Sequence, residues 1–455
     1  MTAMAALLEA DRGQPAHTIT LIAPDAFDGW LAQQSGPVRA IAAGQRFAGK
    51  AGSHAILPDG DGWQVVAAVD DTASPWALAK LAEMLPEGPY RIAGDCPPAL
   101  GWVLGQYRFD RYRKSEGAGP RILLTRDAAG IASALALAAA TATVRDLVNT
   151  GAGDMGPGDL EAAAQTLATR HHAALTVTRG DALASGYPMI HAVGQAAAKD
   201  RHPRLIELDW GDAGHPRVAI VGKGVTFDTG GLDIKPSAGM RLMKKDMGGA
   251  AHALALAELV MAAKLPVRLH LLIPAVENAI AGNAFRPGDV LKTRKGLSVE
   301  NTNTDAEGRL ILGDALTKAV EGKPELILDF ATLTGAARVA LGPDLPPLFA
   351  NDEALAADLL VAAHDEQDPL WRMPLWDGYD EMLKSDTADL VNAPDGGFAG
   401  AITAALFLRR FVPADIPWAH LDVFAWRPAA KPGRPKGGDA FGLRAAFAML
   451  RTRYP

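Results

Sequence analysis

The sequence predicts an α/β protein with a smaller amino-terminal α/β domain and a larger carboxyl-terminal domain. The larger domain is expected to have a mainly parallel sheet covered by helices on both faces. Three observations predict this class. The chain has 455 residues, and one ordinary core holds about 100–200. Beyond residue 158, near-continuous apolar segments, typical of strands buried on both faces, alternate with helical segments. A glycine-rich break at 150–158, TGAGDMGPG, separates the two parts.

The amino-terminal part contains both strand and helix patterns. The strands are predicted at Thr18–Ala23, Gln64–Val69 and Arg121–Thr125. The helices are predicted at Pro75–Met84 and Pro98–Arg113, and a loop at Ser115–Pro120. An Ala/Leu-rich segment with high helix propensity, Ile131–Asn149, follows. We therefore expect an N-terminal α/β domain at 1–127, a connecting helix at 128–150 and a C-terminal domain at 151–455.

In the carboxyl-terminal part the predicted strands and helices alternate along the chain. The predicted strands are Ala174–Thr178, Arg204–Leu208, Arg217–Val221, Val267–Ala275, Glu325–Phe330 and Trp418–Val423. The predicted helices are Asp159–Arg170, Gly249–Lys264, Arg309–Glu321, Glu353–His364 and Gly400–Phe411. In such sheets, ligands bind beyond the carboxyl ends of the strands.

Composition excludes several classes of protein. The chain is 49% apolar and carries 45 basic and 52 acidic residues, a net charge of −7, which argues against disorder and against a dedicated nucleic-acid binder. Cys96 is the single cysteine, so neither an internal disulfide nor a cysteine-based zinc site is expected. The longest uncharged apolar stretch, which lies between Gly130 and Arg145, is shorter than a membrane span needs. We expect a cytoplasmic protein that binds no membrane.

Acidic residues concentrate in two segments that each lead into a predicted helix. The first, at 221–252, reads VGKGVTFDTGGLDIKPSAGMRLMKKDMGGAAH, and the second, at 303–310, reads NTDAEGRL. Together they supply Asp228, Asp246, Asp305 and Glu307. If the second segment is extended, Asp305 and Glu307 point the same way, because side chains alternate along a strand.

These four carboxylates indicate a shared anionic site. Helix N-termini stabilise a nearby carboxylate by at most about 1 kcal/mol, which is too little to hold four like charges together. Two divalent cations would balance the four charges, and carboxylate ligands suit Mn²⁺, Mg²⁺ or Zn²⁺. A two-metal hydrolase follows from this reading. The simpler interpretation is that the acidic residues are helix caps and solvated turns.

The second segment, NTDAEGRL, resembles the signature of the leucyl aminopeptidase family, the cytosolic dinuclear metallo-aminopeptidases. The first segment matches the same family in register, and the resemblance runs from RDLVNT at 145–150 to HLDVFAW at 420–426 and FGLR at 441–444. One departure lies just before the signature, where Glu300, Asn301 and Thr302 replace a more apolar strand. The resemblance implies that 151–455 is a catalytic metallo-aminopeptidase domain.

The resemblance also implies roles for individual residues. The metal ligands would be Lys223, Asp228, Asp246, Asp305 and Glu307, with Asp228 and Glu307 bridging two Mn²⁺ or Zn²⁺ ions. Lys223 can be a ligand only when neutral, since an ammonium group has no lone pair. Lys235 would stabilise the oxyanion, and Arg309 would hold a bicarbonate ion that relays protons.

By the same resemblance, the pocket for the first side chain would be lined by Met243, Thr332, Leu333 and Gly335. The substrates would be peptides with Leu-like amino-terminal residues, attacked by a metal-activated water, and the assembly would be a homohexamer. Two other functions remain open from the residues alone. One is a two-metal phosphoesterase, and the other is a non-catalytic binding protein on the same scaffold. The sequence lacks the HExxH and GxSxG motifs of other hydrolases.

Overall fold

The computed structural model describes residues 2–114 and 119–455, and the chain divides into two compact units. The first unit comprises the residues up to Ala142 together with Ala429–Lys436. The second unit comprises Thr143–Pro428 and Gly437–Pro455. The division therefore falls inside the helix Gly130–Asn149, which the sequence predicted between the two domains. Most of the predicted loop Ser115–Pro120 lies outside the described residues.

The first unit contains a six-stranded sheet in the order β1-β6-β5-β2-β4-β3. Its strands are β1 (Leu8–Ala10), β2 (His17–Ile22), β3 (His54–Asp59), β4 (Gly62–Ala68), β5 (Gly88–Ile92) and β6 (Arg121–Thr125). Only β3 and β4 pair antiparallel. Val65 of β4 packs in one apolar cluster and Val66 in another, so the sheet has a core on each face. The three strands predicted in this part are confirmed.

One helix predicted in the first unit is much shorter than expected. The helices are α1 (Thr2–Ala5), α2 (Phe27–Ala32), α3 (Gly36–Gly44), α4 (Ala79–Met84) and α5 (Leu100–Leu104). The prediction of a helix over Pro98–Arg113 was wrong beyond Leu104. Gly105 follows the helix so closely packed that a Cβ there would lie 2.6 Å from the Ala79 carbonyl oxygen. Arg108 Nη1 then donates to the Gly105 carbonyl, which satisfies the helix end.

The second unit contains a nine-stranded sheet in the order β16-β15-β18-β14-β9-β11-β8-β7, with β10 paired to β11. Its strands are β7 (Ala174–Arg179), β8 (Arg204–Trp210), β9 (Arg217–Gly222), β10 (Gly224–Asp228), β11 (Arg268–Asn278), β14 (Leu326–Ala331), β15 (Pro347–Ala350), β16 (Trp371–Arg372) and β18 (Trp418–Asp422). The central pairs β9–β11, β9–β14 and β14–β18 are parallel, whereas β7–β8, β8–β11 and β15–β18 are antiparallel. All six predicted strands are present.

Helices cover both faces of this sheet. They are α6 (Gly130–Asn149, which begins in the first unit), α7 (Pro157–His171), α8 (Gly180–Gly186), α9 (Pro188–Gly194), α10 (Ser237–Met240), α11 (Gly248–Ala262), α12 (Glu307–Glu321), α13 (Gly335–Leu341), α14 (Glu353–Asp365), α15 (Gly400–Arg409) and α16 (Leu443–Arg453). On β9, Gly222 faces α11, where a Cβ would lie 2.6 Å from the Ala253 Cβ. Its neighbour Val221 points the other way, into the cluster that contains Leu310 of α12.

Smaller elements complete the second unit. The strands β12 (Val290–Lys292), β13 (Ser298–Glu300) and β17 (Leu390–Val391) form a three-stranded sheet, and β19 (Trp426–Arg427) pairs with β20 (Gly437–Gly438). Short 3₁₀ helices lie at Ala152–Asp154, Lys199–Arg201, Met243–Lys245 and Asp377–Leu383, and a further one, Pro24–Ala26, belongs to the first unit. The polar approach to the signature thus contains only a three-residue strand, in which Val299 is fully buried.

By length and composition alone, α6 is apolar enough to cross a bilayer. Core helices of soluble proteins meet the same criterion, and part of this helix is buried, including Ala138 and Val144.

A buried carboxylate fixes the position of α12. Asp314, in the middle of that helix, is fully buried and accepts hydrogen bonds from the backbone N–H groups of Met189 (2.8 Å) and Ile190 (3.3 Å) at the start of α9. Its other oxygen accepts from the Arg294 N–H at 2.8 Å. Asp314 therefore ties α12 to two neighbouring segments.

We expect Asp314→Ala to lower the free energy of unfolding by about 3 kcal/mol, because it leaves buried N–H donors without an acceptor. Urea denaturation followed by circular dichroism measures this change. Asp352→Ala removes a cap that accepts from the Leu355 N–H at the start of α14, and it should cost only about 1 kcal/mol. Equal effects of the two substitutions would contradict the anchoring role of Asp314.

Candidate metal centre

The predicted site residues meet at the carboxyl edge of the parallel strands. Lys223 directly follows β9, Asp228 is the last residue of β10, and Thr332 directly follows β14. Because β9 is parallel to both β11 and β14, and β10 is parallel to β11, these strand ends lie at one edge of the sheet. Asp246 reaches the same edge just before α11 begins. The structure therefore brings these predicted site residues together, and their role in binding a ligand stays a prediction.

Lys223 occupies the centre of this edge and is buried. Its Nζ lies 2.7 Å from Asp246 Oδ2 and 3.0 Å from Glu307 Oε1, and it donates to the Thr332 carbonyl at 3.1 Å. Gly308 leaves the room for this side chain, since a Cβ at that position would lie 2.6 Å from Lys223 Cε. The glycine of the NTDAEGRL segment is therefore a steric requirement of the lysine.

Asp228 and Lys235 form the neighbouring ion pair. Lys235 Nζ lies 2.8 Å from Asp228 Oδ2 and also contacts Asp305 Oδ1. The other oxygen of Asp228 accepts from the Gly230 N–H and from Asn278 Nδ2, both at 2.8 Å. Two of the four acidic side chains thus share one lysine, and Asp228 is also held by hydrogen bonds.

The segment that carries Asp305 and Glu307 is a turn that leads into a helix, as the sequence predicted, so the alternation of an extended segment does not apply. Glu307 is the first residue of α12, and the Asp305 N–H donates to Asn303 Oδ1 at 2.8 Å. The two side chains nonetheless converge. One oxygen each of Asp228, Asp305 and Glu307 lies within 4.8 Å of the other two.

Burial and like charge oppose ionisation of two of these acids. Burial, with the charge of Asp228 next, raises the pKa of Glu307 to about 8 and that of Asp305 to about 6. Lys223 and Lys235 lower both values only in part. The acids are therefore crowded beyond what the two lysines can balance.

The same crowding raises the pKa of both lysines. Burial alone would lower the pKa of Lys223, but the charges of Asp246, Glu307 and Asp228 outweigh it and hold the pKa above its ordinary value. For Lys235, the charges of Asp228, Glu307 and Asp305 likewise outweigh burial. Both ammonium groups stay charged at neutral pH in this arrangement.

The donor set fits divalent cations. Among the described residues, Asp246 Oδ2 and Glu307 Oε1 face Lys223 and accept no other hydrogen bond. Three ammonium groups contact the four carboxylates, since Lys245 Nζ also lies 3.8 Å from Asp246 Oδ1, so these groups carry a net negative charge when all are ionised. Oxygen ligands with uncompensated charge suit hard or borderline divalent ions.

Arg309 lies one helical position beyond Gly308 and is also buried. Its Nη1 donates to the Asn392 carbonyl at 2.7 Å, and its Nε has no hydrogen-bond partner among the described residues. Burial lowers the pKa of Arg309 to about 10, against the charges of Glu307 and Asp422, so the guanidinium remains charged at neutral pH. It can offer N–H donors to a small oxyanion.

The residues predicted to line a substrate pocket flank Asp246. Thr332 Oγ1 donates to Asp246 Oδ1 at 2.8 Å, and the Asp246 N–H donates to the Met243 carbonyl at 3.1 Å. Leu333 continues the loop from Thr332 and is partly buried, and Gly335 is exposed at the start of α13. Thr332 and Met243 therefore border the acidic cluster, and Leu333 and Gly335 follow Thr332 along the chain.

Three residues around the site were missed by the sequence analysis. Asn278 donates to Asp228 Oδ1 and to the Thr304 carbonyl, and Asp422 Oδ1 accepts from the Leu333 N–H at 2.9 Å. Asn392 contacts the loop before Asp305. Asn278 and Asp422 are the last residues of β11 and β18, so a polar residue at the carboxyl end of an apolar segment was an available signal.

Comparison with known families identifies both parts of the chain. Residues 142–447 match the family described as "Cytosol aminopeptidase family, catalytic domain". Residues 18–125 match "M17 aminopeptidase, N-terminal domain". A relative from Roseiflexus castenholzii, "Probable cytosol aminopeptidase", is 42% identical over 369 residues, which cover 77% of this chain and 75% of the relative. The match favours an aminopeptidase over a phosphoesterase or a non-catalytic binding protein.

Solved structures agree with this assignment. A cytosol aminopeptidase from Coxiella burnetii has a TM-score of 0.94 and 44% identity, over 99% of this chain and 100% of that one. The bottromycin maturation enzyme BotP in complex with Mn has a TM-score of 0.86 and 33% identity, over 97% and 100% of the two chains. A tomato leucine aminopeptidase mutant has a TM-score of 0.84 and 27% identity, over 97% and 95%.

We expect Gly308→Ala to weaken Mn²⁺ binding about tenfold, because the new methyl group displaces Lys223 at a cost of about 1–3 kcal/mol. Isothermal titration calorimetry measures the affinity. Gly29→Ala is the matched control, since it lies in α2 where a Cβ has no atom within 4 Å. Unchanged Mn²⁺ affinity in Gly308→Ala would contradict the packing argument.

Mn²⁺ affinity should rise with pH, and more steeply below about pH 8 than above it. A cation binds the ionised form of Glu307, whose pKa is raised to about 8, so binding below that pH releases a proton from this carboxyl in addition to the one that Lys223 would lose as a ligand. Calorimetry in buffers of different ionisation enthalpy counts the released protons. The same number of protons released at about pH 6 and at about pH 9 would show that the carboxyl is already ionised.

Proposed function

The chain belongs to the M17 cytosol aminopeptidase family of metallo-exopeptidases, and we propose that it releases Leu-like amino-terminal residues from peptides by a two-metal mechanism. One observation carries the proposal, namely the convergence of Asp228, Asp305 and Glu307 with Lys223 at the carboxyl edge of the sheet. The catalytic domain is the carboxyl-terminal one, 151–455.

We propose that five residues bind the two cations. They would be Lys223, Asp228, Asp246, Asp305 and Glu307. When bound, the cations would supply Lewis-acid activation of the substrate carbonyl and of the attacking water. Lys223 must give up its proton to serve as a ligand, because only the neutral amine has a lone pair. The related Mn complex supports Mn²⁺ as one suitable ion, and Zn²⁺ is the alternative.

Lys235 is proposed to stabilise the oxyanion that forms on the scissile carbonyl. Its ammonium lies at the edge of the acidic cluster, against Asp228, and is only partly buried. Its charge persists at neutral pH because the surrounding carboxylates hold its pKa above the ordinary value. A fixed positive charge placed at the reacting carbonyl lowers the barrier most when little water surrounds it.

Arg309 is proposed to hold a bicarbonate ion that relays a proton from the attacking water. Its buried guanidinium has one N–H direction occupied by the Asn392 carbonyl and an Nε without a partner among the described residues. A planar fork of donors suits a planar carboxylate-like anion. The proton relay would be general base catalysis by the bound anion.

We propose that Met243, Thr332, Leu333 and Gly335 line the pocket for the first side chain. Two of them contact the backbone or side chain of Asp246, so the pocket would lie beside the ligands. A free α-amine can complete the coordination of a cation, which would restrict cleavage to amino termini. The preference for Leu-like residues rests on the resemblance.

The proposed assembly is a homohexamer located in the cytoplasm. The family resemblance supports the hexamer, and the names of the relatives, cytosol aminopeptidases, support the location. Light scattering coupled to size-exclusion chromatography tests the assembly.

Hydrolysis of leucine p-nitroanilide with Mn²⁺ or Zn²⁺ tests the function. We expect chelation to abolish hydrolysis and Glu307→Ala to lower it at least about 100-fold, because the variant loses one of the proposed metal ligands. Glu353→Ala is the control, since Glu353 is an exposed residue that pairs with Arg372. Hydrolysis that survives both the chelator and Glu307→Ala would refute the mechanism. Faster turnover of phosphate esters than of peptides would refute the substrate class.

A further inference from the structure

A buried asparagine, Asn392, contacts both the loop that leads to Asp305 and the side chain of Arg309. Asn392 is fully buried and directly follows β17, the strand that pairs in parallel with β13. Its N–H donates to the Glu300 carbonyl at 2.9 Å, which extends the pairing by one step. The residue is thereby held opposite the loop of residues 301–306, which leads from β13 into α12.

The side chain of Asn392 uses both ends of its amide on that loop. Its Oδ1 accepts from the Thr302 N–H at 2.8 Å and the Thr302 hydroxyl at 3.1 Å. Its Nδ2 donates to the Asn303 carbonyl at 2.7 Å and to Asn301 Oδ1 at 2.9 Å. One side chain thus fixes Asn301, Thr302 and Asn303, which lie in an irregular loop shortly before Asp305.

The backbone of Asn392 makes a separate contact with the site. Its carbonyl accepts from Arg309 Nη1 at 2.7 Å, the one hydrogen bond of that buried guanidinium among the described residues. The carbonyl and the amide belong to one rigidly held residue. The direction of the Arg309 side chain and the course of the loop that carries Asp305 are therefore set by the same group.

We propose that Asn392 is a positioning residue that couples the metal ligands Asp305 and Glu307 to the anion-binding Arg309. It acts through the 301–306 loop on the ligands and through its own carbonyl on the guanidinium. The inference deepens the proposed function and rests on it for the roles of these three residues. Residues that orient metal ligands from outside the coordination shell typically contribute 10–100-fold in affinity or activity.

Asn392→Asp tests the proposal with little change in volume. The new carboxylate keeps an acceptor toward Thr302 but sets a negative oxygen against the Asn303 carbonyl and Asn301 Oδ1, where Nδ2 donated before. We expect Mn²⁺ affinity and kcat on leucine p-nitroanilide each to fall about tenfold or more. KM should change far less, because the proposed substrate pocket lies on other segments.

Asn351→Asp is the matched control. Asn351 lies in the same unit, donates from Nδ2 to the Ile416 carbonyl at 2.9 Å and accepts on Oδ1 from the Trp418 N–H at 2.7 Å. The substitution breaks the same kind of hydrogen bond, so it should lower the thermal midpoint while Mn²⁺ affinity and kcat stay as in the wild type. Equal losses of Mn²⁺ affinity in the two variants would overturn the positioning role and leave a structural one.

Thr302→Val is the second test of the proposal, and it replaces Asn392→Asp if that variant does not fold. It removes the hydroxyl that contacts Asn392 Oδ1 and the Ala393 carbonyl, and it should weaken Mn²⁺ binding in the same direction but less. Calorimetry with Mn²⁺ alone separates the two proposals. Wild-type protein that binds Mn²⁺ without hydrolysing peptides refutes the function, and the variant affinity still decides the role of Asn392. Wild-type affinity in the variants, or no Mn²⁺ binding by the wild type, overturns the inference.

Discussion

Repulsion among four carboxylates at one edge of the sheet is the constraint on which the rest of the second unit depends. Two unit charges about 4 Å apart repel by about 4 kcal/mol at an effective dielectric constant of about 20. One oxygen each of Asp228, Asp305 and Glu307 lies within 4.8 Å of the other two, so several such pairs act at once. Ordinary protein stability is only about 5–15 kcal/mol. A fold that holds this cluster must supply both opposite charge and a rigid frame.

The frame is the set of parallel strands and the polar groups at their ends. Lys223 receives its position from two backbone hydrogen bonds, one to the Phe330 carbonyl and one from the Ala250 N–H. Asp228 is fixed by Asn278 and by the Gly230 N–H. Because the strands behind these residues are buried on both faces, an edge residue cannot relax without moving the core. The packing of residues outside the cluster therefore offsets the free energy that the repulsion within it costs.

The sequence predicted the strands well, but it did not predict the polar residues that hold the acidic side chains in place. The strand Arg217–Val221 and the four carboxylates were predicted because apolar runs and acidic glycine-rich loops are local patterns. Asn392 contacts the loop before Asp305 from about 90 positions away in sequence. No local sequence pattern indicates a contact between residues that far apart. The overlong helix at Pro98–Arg113 failed for a related reason. Its end is set by the fit of Gly105 against Ala79, a contact that only the folded unit creates.

The polar residues before the signature provide hydrogen-bond partners for the loop that carries Asp305. An irregular loop has backbone groups that no ladder satisfies, and buried backbone groups need partners. Asn301 is fully buried, and its side chain bridges the Asn392 amide and the Arg286 carbonyl. Apolar residues in place of Asn301 and Thr302 would remove partners of the Asn392 side chain. The polar residues before the signature and the buried asparagine therefore depend on each other, and together they hold the turn that presents Asp305 to the other acids.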